Sequence, residues 1–462
     1  MPLMEHYDAT SASSIEKFGK RLLGRTLRKT SGVYPIPVRY LGMMQGMTTK
    51  GNFGEILERF YYGIKPPNTS APDFPKAGVE LKSTPLKKMK SGKLSAKERL
   101  VLNLINYEKE AQENFRSSTF YKKNEQIMLV AYLHERQLMV VDYLIKIAEL
   151  VSWEKLPKAD QIIIERDWNH IIEKIRDGRA HELSEGDTLY LGACTKAANS
   201  RVFTDAPGGV KAKPRAFAFK QGFMTTLLNG LIDAEPVIKN VTELRESDFE
   251  TIVEDRFKPF LGLTVDEIRK RIAPDLNVSS KGFYAQLARR MMGVRKNNIE
   301  EFEKADVMMK TVRLGKSGMP REDMSFPTFS YMDLIREKWD EADPGKGIPS
   351  SIKSAFEKKF FFVVFQCGDD PNDLKSMWFK KVMFWNMPQN DLEEARKVWQ
   401  MTIQRIKAGK AGELPKSTEN SVAHVRPHGR NAADTLPTPH NGRQVKKCFW
   451  LNKTYIAKIL RG

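Results

Sequence analysis

The sequence has 462 residues, 41% of them hydrophobic and 29% charged, which is enough for about two or three globular domains and excludes wholesale disorder. Its three cysteines, Cys194, Cys367 and Cys448, are far apart, which excludes a disulfide framework and a CxxC zinc site. The net charge of +19 favours a polyanionic partner, either a nucleic acid or an acidic membrane surface.

The apolar runs of the chain are short. The run FFFVVF at 360–365 has the length of a strand, not of a membrane span, and the N-terminal segment lacks the apolar core of a signal peptide. We therefore expect a soluble protein of a reducing cytoplasm that has no membrane partner.

In chain order, the apolar patterns predict strands at 78–82, 127–133, 138–145 and 360–365 and an amphipathic helix at 161–177. The helix is predicted by Ile and Trp residues spaced three or four apart, and the glycine that follows ends it. This mixture indicates an α/β fold in which a mixed sheet is flanked by helices.

The domain organisation is indicated by a change of composition near the middle of the chain. The stretch 232–250 is polar and acidic and contains a proline, so we predict a first domain at 1–235, a linker at 236–249 and a second domain at 250–462. A region rich in Gly, Pro, Asn and Ser at 408–446 is typical of loops.

The two halves contain similar segments in the same order. The pairs are 50–63 with 280–293, 79–82 with 307–310, the Trp168 helix end with the Trp399 helix end, and 215–228 with 447–460. The separation within these pairs stays between 228 and 232 residues. This regularity predicts two related domains that arose by internal duplication, and the alternative is chance recurrence of similar αβ patterns.

The segment PDFPKAGVELK contains a candidate catalytic group. On a strand, Glu80 and Lys82 point to the same face, and a turn near Gly78 can bring Asp73 back beside Glu80. Two carboxylates suit a hard cation such as Mg²⁺, and a neighbouring ammonium stabilises charge on an attacked phosphate. The pattern alone is also compatible with a solvated, charged strand face.

A third acid, Glu58, lies on a predicted helix, where an exposed position is the alternative to one that faces a metal. In the second copy this acid is replaced by Ala288 and the strand glutamate by Met308, whereas the lysine is kept as Lys310. We therefore expect the first copy to cleave and the second copy to bind.

Several segments together resemble the MutH family, which includes mismatch-repair nicking endonucleases and type II restriction enzymes that cut at GATC. These segments include LLGRTL, KGNFGEILERFYYG, PDFPKAGVELKSTP, HELSEGDTLYLGACTKAAN and KPRAFAFKQGFMTTLL. The stretches 91–115, 423–428 and 449–460 resemble the two-domain restriction branch. The resemblance implies a PD-(D/E)xK nuclease-like fold and a bacterial cytoplasmic enzyme.

The resemblance also implies roles for individual residues. Asp73, Glu80 and Lys82 match the catalytic acids and lysine of the family, and Glu58 matches its helix glutamate. The acids would bind Mg²⁺. Lys50 falls where the family has a further basic residue that contacts DNA.

Other residues match the DNA-reading segments of the family. Lys196 lies in the turn that would read GATC, where a lysine can donate to guanine from the major groove, although a phosphate contact is the alternative. Arg215 would contact base or backbone, and Lys123 or its neighbour Lys122 matches another DNA-binding lysine. Ala218 stands where the mismatch-repair members have a tyrosine that senses methylation, so hemimethylation sensing is not carried over.

In the second copy, the candidate contacts to an effector DNA are Arg426, His428 and Arg430. The pair His424 and His428 could instead bind a metal, but no acid or cysteine group accompanies it, and phosphate contact by a basic loop is the simpler hypothesis.

The leading hypothesis is a Mg²⁺-dependent type II restriction endonuclease that makes double-strand breaks at GATC and is stimulated by a second DNA site bound to its C-terminal domain. It would act as a dimer or as a looped complex on double-stranded DNA. The alternatives are a mismatch-repair nicking endonuclease and a non-catalytic, sequence-specific DNA-binding protein.

Overall fold

The computed structural model describes residues 6–43, 52–64, 70–89, 92–135, 137–196, 202–229, 234–339, 348–370, 373–440 and 442–461. These residues form two compact units. Unit 1 contains the described residues up to 229 together with Glu303–Asp306, and unit 2 contains the other described residues from 234 onwards.

Unit 1 combines helices with short and long strands. Its helices are α1 (Ala12–Lys20), α2 (Val38–Leu41), α3 (Asn52–Ile56), which continues into a π-helical segment (Leu57–Tyr61), α4 (Tyr107–Glu110), α5 (Thr119–Asn124), α6 (Lys158–Arg176) and α7 (Gln221–Asn229). Its strands are β1 (Val79–Lys88), β2 (Leu94–Ala96), β3 (Leu100–Leu104), β4 (Gln126–Leu133), β5 (Leu144–Ser152), β6 (Leu191–Thr195), β7 (Thr204–Ala206), β8 (Val210–Ala212) and β9 (Arg215–Phe219).

Two sheets carry unit 1. The first has the order β2-β1-β4-β5, in which β1 runs parallel to β4 and the other neighbours are antiparallel. The second has the order β3-β9-β6 and is antiparallel throughout. Strand β4 is buried over nearly its whole length, as expected for a central strand covered on both faces.

Unit 2 is built from the remaining elements. Its strands are β10 (Ala234–Glu235), β11 (Asn298–Ile299), β12 (Met308–Leu314), β13 (Met324–Thr328), β14 (Glu337–Lys338), β15 (Ile348–Pro349), β16 (Phe360–Cys367), β17 (Met377–Trp385), β18 (Ala423–Pro427), β19 (Thr435–Pro437), β20 (Arg443–Val445) and β21 (Lys447–Leu451). The helices of this part of the chain are α8 (Val241–Glu246), α9 (Phe249–Asp255), α10 (Val265–Ile272), α11 (Phe283–Met291), α12 (Glu300–Ala305), α13 (Tyr331–Leu334), α14 (Ser351–Phe356), α15 (Gln389–Lys407) and α16 (Lys453–Arg461).

Three strands of each of the two sheets of unit 1 have counterparts with the same pairing in unit 2, whereas β2 has none in the three-stranded sheet β12-β16-β17. In the order β12-β16-β17, β12 is parallel to β16 and β16 is antiparallel to β17, as in β1-β4-β5. The order β13-β21-β18 is antiparallel, as in β3-β9-β6. A helix of 19 residues, α6 or α15, follows the first sheet in each unit.

The two long helices end in the same way. Gly178 after α6 and Gly409 after α15 have positive φ angles of 72° and 77°, a conformation that glycine adopts without a Cβ penalty. In each case the N–H of the residue after the glycine donates a hydrogen bond to a carbonyl of the last helical turn. The predicted helix at 161–177 is therefore confirmed as part of α6, and its apolar side is buried.

Most of the predicted strands are confirmed, but 138–145 was wrong over its first part. Val140–Asp142 form a short 3₁₀ turn, and β5 begins only at Leu144. The apolar run at Val140 and Val141 reflects burial of this turn in the core of unit 1 and does not indicate a strand. The predicted loop region 408–446 also contains strands β18, β19 and β20.

The predicted linker, 236–249, lies within unit 2. Val237 and Ile238 are buried there, and their N–H groups donate to the Glu301 carboxylate at 3.0 and 2.9 Å. None of the helices in the described parts of the chain has the length and apolar composition needed to cross a bilayer.

Candidate active site

A tight turn brings the two predicted catalytic acids together at the start of β1. Phe74 and Val79 pair across the turn, and Gly78 within it has a φ of 65°. The Asp73 N–H donates to Glu80 Oε2 at 3.1 Å, and the Leu81 N–H donates to Asp73 Oδ2 at 3.0 Å. Asp73 and Glu80 are therefore held side by side by backbone hydrogen bonds.

Two lysines contact the same glutamate. Lys82 lies two residues further along β1 on the same face, and its Nζ donates to Glu80 Oε1 at 2.7 Å. Lys123, from α5, places its Nζ 3.6 Å from that oxygen. The Glu80 side chain is only 2% exposed, so these ammonium groups stabilise a buried carboxylate. Of the two lysines that the sequence left ambiguous, Lys123 is at the site and Lys122 is exposed.

Glu58 belongs to the same electrostatic cluster. It lies at the start of the π-helical segment, where the Tyr62 N–H donates to the Leu57 carbonyl. Burial raises the pKa of the Glu58 carboxyl to about 7, repulsion from Asp73 and Glu80 adds to this rise, and Lys82 opposes it. The helix glutamate thus faces the acid pair and is not an exposed helix residue.

The pKa of Asp73 is also raised, to about 6, mainly by burial and then by the charge of Glu80. The Leu81 N–H and the lysines 82 and 123 lower it in part. A bound cation would relieve this repulsion, and carboxylate oxygens are the ligands that Mg²⁺ prefers. Among the described residues, no three acid, histidine or cysteine side chains are close enough together to form a metal-ligand group. Asp73, Glu80 and Glu58 stay the predicted ligands, and the first two are joined by the hydrogen bond from the Asp73 N–H.

The predicted DNA-reading lysine follows the end of β6. Lys196 is half-buried, and its N–H donates to the Pro214 carbonyl at 2.7 Å, which fixes the turn against β9. Lys50 lies outside the described residues. The described residues therefore contain an acid–lysine cluster on and beside β1 and, at the end of a different sheet, one lysine of the predicted reading turn.

Arg215 does not lie on an exposed surface. It is 5% exposed, and its Nη1 donates to the Ala193 carbonyl at 2.6 Å. In this conformation the guanidinium supports the second sheet of unit 1, beside the strand that leads to Lys196. Its predicted DNA contact would require this hydrogen bond to be exchanged.

Sequence reasoning missed one residue that positions this region. Asp167 is buried on α6, and its carboxylate accepts from the N–H groups of Leu189, Tyr190 and Leu191, which lead into β6. Burial raises the pKa of Asp167 to about 6 despite these hydrogen bonds. An acid among the apolar positions of an amphipathic helix was the signal that could have revealed it; Asp160 is a second buried acid of the same helix.

In unit 2, His428 has the same position as Lys196 in unit 1. It follows the end of β18, and its N–H donates to the Lys446 carbonyl at 2.8 Å. His428 is exposed and packs edge-on against Trp450, while Arg426 lies 3.8 Å above that ring and pairs with Asp323. Arg430 is highly exposed on the following loop.

The histidine pair does not form a metal site among the described residues. His424 is buried, and its Nδ1 is hydrogen-bonded to Asn452 at 2.5 Å. Its side chain therefore has a structural role in the sheet.

A mixed α/β unit that places one buried and one half-buried carboxylate and two lysines around one strand has the make-up of an enzyme that cleaves phosphodiesters. A family model for the DNA mismatch repair enzyme MutH matches residues 62–167. The chain is 34% identical over 461 residues to the type II restriction enzyme Sau3AI of Staphylococcus aureus, which covers 89% of this chain and 92% of that relative.

The MutH proteins are similar to a smaller part of the chain. The protein from Buchnera aphidicola is 29% identical over 190 residues, which is 39% of this chain and 81% of that relative. The protein from Shewanella oneidensis is 30% identical over 185 residues, with 39% and 79% covered. The chain belongs to the MutH-related type II restriction endonucleases and is a site-specific deoxyribonuclease. The resemblance found in the sequence is thereby confirmed.

Proposed function

We propose that unit 1 hydrolyses phosphodiesters of double-stranded DNA at GATC in a Mg²⁺-dependent reaction and leaves double-strand breaks. The observation that carries this proposal is the hydrogen-bonded group of Asp73, Glu80 and Lys82 on and beside β1. Pro72-Asp73 and Glu80-Leu81-Lys82 also provide the PD and ExK parts of a PD-(D/E)xK site. The GATC specificity rests on the family resemblance.

Asp73 and Glu80 would hold Mg²⁺, which supplies Lewis-acid activation when bound. Lys82 is positioned by Glu80 to hold a water molecule or to stabilise charge on the attacked phosphate. Lys123 neutralises part of the acid cluster from the other side. Glu58, with a pKa of about 7, is able to exchange a proton near neutral pH.

For DNA recognition, we assign base reading to Lys196 and further DNA contacts to Lys50 and Arg215, the latter to base or backbone. Lys196 is the best supported of the three, because its backbone is fixed by β9 while its side chain is half-buried at the end of a sheet. An ammonium in this position can donate to guanine O6 and N7.

We further propose that unit 2 is a duplicated copy of unit 1 that has lost cleavage and binds a second DNA as an allosteric effector. The shared strand pairing and the equal 19-residue helices support the duplication. Met308 and Ala288 replace the two acids, and Arg426, His428 and Arg430 are the assigned DNA contacts. The cleaved DNA site and the effector DNA site would then be brought together by a dimer of the protein or by looping of the DNA between them.

A mismatch-repair nicking function is less well supported. The MutH relatives cover 39% of this chain, whereas the restriction relative covers 89%. Ala218, in the place of a methylation-sensing tyrosine, is buried in β9. We therefore propose restriction of unmethylated sites.

The test uses unmethylated plasmids with no, one or two GATC sites, incubated with Mg²⁺ or with EDTA. We expect linear products only with Mg²⁺ and GATC, and faster cleavage of the two-site plasmid. Glu80→Gln should abolish cleavage, whereas Glu154→Gln, an exposed acid of unit 1, should not. Cutting at other sequences would refute the GATC assignment, and equal rates on one-site and two-site plasmids would refute the effector role.

A further inference from the structure

Unit 2 contains a cavity of about 720 Å³ beside β12, the strand that corresponds to β1 of unit 1. Lys310, the counterpart of Lys82, lines it from β12, together with Tyr284 of α11 and Ser325 of β13. The cavity therefore includes the counterpart of the strand lysine, whereas Met308 and Ala288 are not among the residues that line it.

The lining of the cavity is rich in cations. Lys281, Lys310, Arg313 and Arg321 contribute to it, against the two acids Glu322 and Asp323. Both acids have basic partners: the Arg313 guanidinium contacts Glu322 at 2.9 Å, and Asp323 accepts from Arg426 at 2.9 Å and from the Lys453 N–H at 2.8 Å. The excess positive charge suits an anion.

Lys310 is the central cation of this site. Its Nζ donates to the Ser325 carbonyl at 3.1 Å and lies 5.1 Å from the Phe326 ring. Burial lowers its pKa, and the strand position that corresponds to Glu80 of unit 1 is Met308. A bound anion would restore the charge partner that the acid provides in unit 1.

The shape of the cavity also differs from that of the catalytic site. By the sequence pairing of the two copies, Tyr284 stands where unit 1 has Gly54, at which an added Cβ would lie 3.4 Å from Ser83 Oγ and 3.9 Å from Glu58 Oε1. The Tyr284 ring lies under the Arg313 guanidinium at 5.5 Å. This arrangement closes part of the cleft without removing its positive charge.

We propose that this cavity binds a backbone phosphate of the effector DNA, with Lys310 as its main ligand and without hydrolysis. This inference rests on the proposed effector function of unit 2 and names the place where the effector backbone is held. Asp323 favours DNA over free phosphate as the ligand, because it lines the cavity and also pairs with Arg426 of the proposed reading strand. One duplex can thus contact the cavity with its backbone and His428 with a base edge.

The experiment measures binding of a GATC duplex to the full chain carrying Glu80→Gln, in EDTA, by isothermal titration at several salt concentrations. The parent is expected to bind two duplexes per chain. Lys310→Gln, which keeps a hydrogen-bond donor for Ser325, should weaken the second duplex about tenfold or more and reduce its salt dependence by about one counterion. Lys397→Gln, an exposed lysine of α15 outside the cavity, is the matched control and should leave both unchanged.

Equal effects of Lys310→Gln and Lys397→Gln, or no effect of either, would overturn the cavity assignment while the effector function stands. A parent that binds a single duplex would overturn the effector function and this inference together. If Lys310→Gln lowers the melting temperature, Lys281→Gln at the exposed mouth supplies the same test, with a loss of about one counterion expected. Inorganic phosphate that binds through Lys310 while the duplex does not would also overturn the proposal.

Discussion

The first strands of the two parallel pairs, β1 and β12, carry a lysine at corresponding positions, but the charges around the two lysines differ. On β1, Lys82 is hydrogen-bonded to Glu80, and the acid cluster is dense enough to raise the pKa of Asp73 to about 6. On β12, Lys310 donates to a carbonyl instead, and burial lowers its pKa. One lysine thus serves a site poor in positive charge and the other a site rich in it. The nature of the site is decided by the acids around the lysine, not by the lysine or the sheet.

The largest effect is expected from removing an acid in unit 1. Asp73→Asn should lower single-turnover cleavage of a GATC plasmid by about 10²–10³-fold or more, because a neutral amide neither binds a divalent cation well nor attracts Lys82. Asp205→Asn, an exposed acid of the same unit, should cleave as the parent does. Retention of activity in Asp73→Asn would show that cleavage does not depend on the β1 cluster.

The reverse change should damage unit 2. Ala288 is completely buried on α11, so Ala288→Glu places a charge in the core without the cluster that surrounds Glu58, and we expect a loss of about 4 kcal/mol in the free energy of unfolding. Ala285→Glu, on the same helix but half-buried, should cost much less. Urea denaturation measures both, and equal stabilities would show that α11 accepts an acid at this position.

A smaller loss is expected where unit 1 has Asp167 and unit 2 has Val398, which the repeat places at the same point of the long helix. Asp167→Val leaves three backbone N–H groups without their acceptor and should cost about 2 kcal/mol. Asp177→Val, at the exposed end of the same helix, is the control. Thermal unfolding with no difference between the two variants would contradict the positioning role of Asp167.

Metal binding by unit 1 should also depend on pH. The carboxyls of Asp73 and Glu58 have raised pKa values of about 6 and 7, so both are protonated at pH 5 and must lose protons before they stabilise a cation. Mn²⁺ binding should therefore strengthen as pH rises through 6 and 7, by up to about tenfold per pH unit for each proton released, and level off above pH 8. Titration calorimetry in two buffers counts the protons. Glu58→Gln should remove the part near pH 7, and an affinity that is independent of pH would contradict the coupling.

Local spacing made the centre of the site predictable. Asp73, Gly78, Glu80 and Lys82 lie within ten residues, so strand alternation and one turn were sufficient to place the acids beside each other. The long helix and most strands were likewise predictable from apolar spacing. The role of these residues in catalysis remains a proposal.

Other features depended on packing between distant segments. Arg215 is buried because its strand, β9, pairs with β6. The acceptor role of Asp167 depends on a segment more than twenty residues away. The extra residue per turn in the π-helical segment at Glu58 has no periodic signature in so short a stretch. The run at Val140 shows that an apolar stretch alone does not separate a strand from a buried turn.

The local and distant contacts at Glu80 also imply an order of assembly. Asp73 and Glu80 are seven residues apart, so their hydrogen bonds form as soon as the turn at Gly78 closes. Lys123 can approach only after β1 has paired with β4, and this parallel pairing closes a loop of more than forty residues. The newly folding chain therefore carries an incompletely neutralised acid pair until the central sheet is complete. The acid pair is thus the product of one local turn, whereas the second ammonium at Glu80 is the product of tertiary folding.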